Sequence, residues 1–122
     1  MSKGTVNALD QLCAPDFVDH YPAPGQGPGL EGVKKAFAEW TDAFSLVSLN
    51  IEEMVAEQDL VVTRFSMTVK HIGEILGATP TGRQISFNAI DMIKVKDGKC
   101  VEAWHQGDEM MALLQIGVRP AV

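Results

Sequence analysis

Cysteine is scarce in this sequence: Cys13 and Cys100 are the only two in 122 residues. They stand far apart in sequence and match no zinc or redox spacing, so neither a disulfide scaffold nor a metal knuckle is expected. Basic residues are also few, 10 against 16 acidic ones, for a net charge of −6. A general basic field for nucleic acid or an anionic membrane is therefore missing. No run of 18 apolar residues exists to span a bilayer. The opening Met-Ser-Lys-Gly-Thr lacks the apolar stretch of a signal peptide. These absences predict a cytoplasmic protein. What is present is ordinary: 46% apolar and 21% charged residues over 13.2 kDa. That suits one globular domain spanning residues 1–122, large enough to bury a core.

The punctuation divides the chain simply. Asn7 caps a predicted short helix from Ala8 to about Cys13, closed by Pro15. Pro22 to Gly29 is a proline- and glycine-rich loop; no Lys-Ser or Lys-Thr follows, so it is no phosphate cradle. Leu30, Val33, Phe37, Trp40 and Phe44 recur at helical spacing and predict an amphipathic helix over 30–44. From Leu46 the period becomes two: Val47, Leu49, Ile51 and Val55 alternate, with Met54 as the exception. Strands follow at 60–72, 84–95 and 99–105, the last two joined by an Asp97-Gly98 turn. A closing helix starts near Asp108 and stops at Gly117. Helices first and hairpin-linked strands later predict an α+β class with a curved antiparallel sheet.

Alternation also sorts the ionisable residues. His71 shares a face with Val61, Thr63, Phe65, Met67 and Val69. Asp91 shares one with Phe87, Ala89, Ile93 and Val95, and His105 with Val101 and Ala103. Arg64 faces the other way, with Ser66, Thr68 and Lys70. Carboxylate and imidazole groups in line with apolar residues are the ingredients of proton transfer in an apolar pocket. Each has a second reading. His71 stands at a strand end and suits a structural role, Asp91 suits pairing with a lysine at a sheet edge, and Asp108 suits a plain N-cap. A bulge would also reset any of these faces. No catalytic metal is expected, because His105 and Asp108 straddle a strand-to-helix change. No serine sits in a nucleophile turn, and no histidine neighbours either cysteine in sequence, so nucleophilic catalysis is not expected.

Several ordered segments carry a resemblance: Asp16-Phe17-Val18-Asp19-His20, Gly29-Leu30-Glu31-Gly32-Val33-Lys34 and His71-Ile72-Gly73-Glu74-Ile75-Leu76-Gly77. Thr79-Pro80-Thr81-Gly82-Arg83, Asp97-Gly98-Lys99, Glu102-Ala103-Trp104 and Leu113-Leu114-Gln115-Ile116-Gly117 continue the series. From about Asn7 to Pro120 the chain resembles the SnoaL-like polyketide cyclases, or ester cyclases, of the nuclear-transport-factor-2-like superfold. That resemblance implies a cone-shaped curved sheet packed against helices, with a ligand cavity at its open end. It implies an aldol-type ring closure with an aspartate as acid/base and with neither metal nor cofactor. By position that aspartate is Asp108, with His71 or His105 polarising the enolate oxygen. His20, Asp91, Phe65, Met67, Phe87 and Trp104 would line the pocket for a hydrophobic small molecule. The family usually carries one more helix ahead of the segment matching Asn7 to Asp10, and six residues precede Asn7 here. A wider mouth, or cover from a partner subunit, is therefore expected, and a homodimer.

Two other functions compete with the cyclase. A non-catalytic small-molecule carrier would use the same cavity, since fold does not fix function. An epoxide hydrolase of the limonene type would need Asp91 and Asp108 to share a water, but Asn88-Ala89-Ile90-Asp91 lacks that type's arginine. A steroid-isomerase type needs tyrosine donors, and Tyr21 beside the loop is the only one.

Overall fold

Three helices and five strands form in the order α1 (Ser2–Leu12), β1 (Cys13–Asp19), α2 (Gly29–Ala43), β2 (Phe44–Glu57), β3 (Leu60–His71), β4 (Gln84–Lys96), β5 (Lys99–Gly107) and α3 (Glu109–Leu114). The computed structural model describes residues 2–23 and 25–118, with side chains from Asn7 onward. Pro24 of the proline-rich loop and the Pro120 end of the resemblance lie outside the described residues. The strand order is β1-β5-β4-β3-β2. Four strands run antiparallel to their neighbours, but β1 lies parallel to β5, so the sheet is mixed.

β1 corrects the expectation of a helix ending at Cys13 with nothing regular after it. Its residues are Cys-Ala-Pro-Asp-Phe-Val-Asp, and Cys13 and Phe17 are its two buried ones. A spacing of four fits one face of a helix as well as one face of a strand, so it does not mark a strand. Pro15, which donates no hydrogen bond, is tolerated because β1 is an edge strand and its register shifts between Cys13 and Val18.

One face of the sheet takes the core. Val69, Ile85, Phe87 and Ala89 are buried there, while Gln84, Ser86, Asn88 and Ile90 between them are exposed. The larger cluster joins that face to Ala43 and Phe44 at the end of α2, Ala112 and Leu113 of α3, and the closing Ile116 and Val118. A smaller one packs Cys13, Phe17 and Leu30 with Leu9, Val33, Cys100 and Ala103, setting α1 and α2 over β1 and β5. At one junction, a Cβ on Gly73 would lie 2.3 Å from the Asp42 carbonyl oxygen. Only glycine lets β3's end come this close to α2.

Bulges edit the alternation. Val47 and Glu52 are extra residues in β2, so Leu46, Leu49, Ile51 and Met54 pair with inward positions of β3. Met54, the exception in the sequence pattern, thus joins the inner face, and Val55 opposite Val62 leaves it. On β5 the register shift beside Val95 makes Cys100 its partner and removes Val101 from the face it was expected to share.

Candidate functional site

Asp91 and His105 are directly opposed on β4 and β5, on the inward face, and the His105 Nδ1–H is hydrogen-bonded to Asp91 Oδ1. Glu109 then enters from the first residue of α3. The chain turns from strand to helix at Asp108, which brings Glu109 Oε1 to 2.8 Å from His105 Nε2. One imidazole is therefore held between two carboxylates. The hydrogen bond to Asp91, and then that to Glu109, push the His105 pKa up to about 10, against the opposing effect of burial. At neutral pH it is an imidazolium donating through both ring nitrogens. The group is half-open to solvent: the His105 and Asp91 side chains are 38% and 35% exposed.

Gly107 makes room for this cluster. A Cβ there would stand 2.0 Å from Glu109 Oε1. Asp108 takes a different part. The Asn88 backbone N–H donates to its Oδ1 at 2.7 Å, and its own N–H donates to the Asn88 carbonyl at 3.1 Å. It occupies the N-cap position of α3 without a side-chain capping bond, so the capping role expected of its carboxylate is not what the structure has. Its side chain instead pins the start of α3 to β4. Asp91 Oδ1 is engaged by His105 and Asp108 Oδ1 by the Asn88 N–H, so each of the two carboxylates has its own protein partner.

The other expected site residues divide between places. His71 is fully buried at the far end of β3, where Thr81 N–H donates to its Nδ1 at 3.2 Å and its Nε2 has no partner. Thr63 is the β3 residue opposite Asp91, and His71 lies eight positions further on. That separates the two by roughly 25 Å along the strand, so they do not share a site. His20 and Trp104 stack with centroids 4.6 Å apart and planes 6° from parallel. Trp104 alternates with His105 along β5, which puts this stack on the opposite face of the sheet. There His20 bonds to Glu102 Oε1 at 2.8 Å and holds that carboxyl below the usual range, against burial. Phe65, Met67 and Phe87 do share the inner face with Asp91. Among the described residues no group of three His, Cys, Asp or Glu side chains is arranged to hold a metal ion.

The family model for SnoaL-like polyketide cyclases matches residues 1–116. The chain belongs to that family. Solved structures agree. IdmH of Streptomyces antibioticus, a proposed polyketide cyclase, is 33% identical, with 96% of this chain and 90% of that one covered at a TM-score of 0.71. A proposed polyketide cyclase of Bacillus cereus is 29% identical over 98% and 74% of the two chains, at 0.79. AclR of Streptomyces galilaeus, a proposed hydroxylase, is 29% identical over 96% and 73%, also at 0.79. No curated protein matches.

In this SnoaL-like domain the inner face is only partly roofed. Leu46, Leu49, Ile51 and Met54 of β2 are about half exposed, at 46–58%, although all belong to the inward side. The two described hollows lie elsewhere, one along Val55–Gln58 with Leu60 and Val62, the other along Asp10, Cys13, Pro15 and 28–31. An open apolar platform thus runs up to the Asp91–His105–Glu109 cluster. Glu109 was the residue sequence reasoning missed. The available signal was its i,i+4 spacing from His105 with glycine between them.

Proposed function

We propose that the protein is a cofactor-independent cyclase for a hydrophobic, polyketide-like 1,3-dicarbonyl compound. The observation supporting this is the Asp91–His105–Glu109 cluster at the rim of an uncovered apolar face. Phe65 and Met67 seat the apolar part of the substrate. Glu109 removes a proton from the carbon between two carbonyls, and the His105 imidazolium beside it stabilises the enolate charge. The enolate carbon attacks a further carbonyl elsewhere in the same molecule, a carbon–carbon bond forms, and the proton on Glu109 passes to the new alkoxide. The product is an isomer of the substrate. Asp108, matched by position to the family's acid/base, acts here by fixing where α3 begins and so where Glu109 points.

A panel of linear 1,3-dicarbonyl thioesters, followed by chromatography and mass spectrometry, tests this. A new species of unchanged mass is expected, and Glu109→Gln should cut kcat by about 10²-fold or more. Undiminished turnover in both Glu109→Gln and Asp91→Asn would overturn the assignment.

The carrier reading has its own support, because both His105 nitrogens are already occupied by carboxylates. Thermal stabilisation by the panel without any product would favour it. In either case we propose a homodimer formed on the outer face, where Val62, Met92 and Trp104 lie side by side on β3, β4 and β5. No described helix is long and apolar enough to cross a membrane.

A further inference from the structure

Cys13 and Cys100, 87 positions apart in sequence, are register partners on the parallel strands β1 and β5. Neighbouring strands lie about 4.8 Å apart, inside the roughly 4.4–6.8 Å Cα separation that a disulfide spans. Both thiols belong to the same small cluster with Phe17 and Leu30. Both are free. We propose that this pair is a redox-modification site, a dithiol that closes to an intramolecular Cys13–Cys100 disulfide under a small-molecule disulfide oxidant.

The two sulfurs are not equivalent. Cys13 is 6% exposed, while Cys100 is only half-buried and meets the oxidant first. Burial, followed by the neighbouring Cys100 and by Asp10, pushes the Cys13 thiol up to about 11, with Lys99 pulling it down. Cys13 therefore waits as a thiol and closes the bond second. In the first step the Cys100 sulfur attacks the reagent's S–S bond, giving a mixed disulfide and one released thiol. In the second the Cys13 sulfur attacks Cys100 and expels the other half. Two protein thiols lose two hydrogens; the reagent's S–S bond is reduced to two thiols. A surface hollow that includes Cys13, Asp10 and Pro15 leaves space beside the pair. The bond would fasten the edge strand β1, and α1 leading into it, to the strand that carries His105.

The test treats the folded full chain with oxidised glutathione, quenches by alkylation, and reads intact mass, peptide maps and thermal melts. Expected are a monomer lighter by two hydrogens, a peptide linking Cys13 to Cys100, and a melting temperature raised by about 5 °C or more because the closed loop is long. Cys13→Ser and Cys100→Ser should each abolish that shift. Full alkylation of both thiols after oxidation, a bridge only between chains, or the same shift in a serine variant would overturn the proposal.

Discussion

Glu109 Oε1 lies 2.8 Å from His105 Nε2 across the corner where β5 becomes α3. With Asp91 on the other ring nitrogen, the imidazole is fixed in orientation and in charge. It serves as a cation that holds two carboxylates beside an apolar face, rather than as a free base. In the proposed mechanism the acid/base role is therefore given to a carboxylate: an imidazolium with a pKa of about 10 gives up its proton reluctantly at neutral pH.

Stability should report that charge. The His105 pKa in the folded protein, about 10, lies above its ordinary 6.5, so the native state holds the proton more tightly than the unfolded chain. The stabilisation is complete below 6.5 and disappears as pH rises through about 10. Thermal melts across that window should show the wild type losing stability progressively and His105→Gln losing less. Parallel curves for the two proteins would refute this.

Gly107→Ala isolates the Glu109 contact. The new methyl would meet Glu109 Oε1 at 2.0 Å, the movable end of a side chain, and the Ala89 Cβ at 3.0 Å. The carboxylate should swing aside at a stability cost of about 1 kcal/mol, while the histidine loses one partner. NMR titration of the His105 ring should then show a lower pKa than in the wild type. An unchanged titration would mean that Glu109 is not holding the ring.

How much of this was legible in the sequence depends on which rule each residue obeys. β3 and β4 pair without interruption from Leu60 opposite Lys94 to Lys70 opposite Gln84, so simple alternation placed Asp91, Phe65 and Met67 correctly. Val101 and Met54 were misplaced because bulges, which leave no reliable mark in the sequence, shift the parity. β1 was invisible because its only buried residues, Cys13 and Phe17, have a spacing that a helix shares, with Pro15 between them. Glu109 was passed over because a glutamate in a helix's first turn is already accounted for by the helix dipole. His71 and His105 looked equivalent on their strands. Only the register shows that they stand at opposite ends of the sheet.

Asp108→Asn and Glu109→Gln separate positioning from proton transfer. Asparagine keeps an oxygen for the Asn88 N–H, so the corner should survive. Turnover should fall by less than about 10-fold, with an unchanged pH profile, whereas Glu109→Gln loses the base and about 10²-fold or more. If Asp108→Asn is the more damaging of the two in a protein of unchanged melting temperature, Asp108 is the acid/base and Glu109 its neighbour.

His71 should prove structural. Its ring fills the core beside Phe44, with centroids 5.4 Å apart, and accepts the Thr81 N–H that shapes the loop before β4. His71→Ala removes that volume and takes away the acceptor of the part-buried Thr81 N–H, a loss of about 3 kcal/mol and of order 10 °C in melting temperature. The fraction that remains folded at low temperature should keep its kcat, because the ring is at the far end of β3 from Asp91. A large drop in kcat with little change in melting temperature would bring His71 back into the chemistry, through its unpaired Nε2.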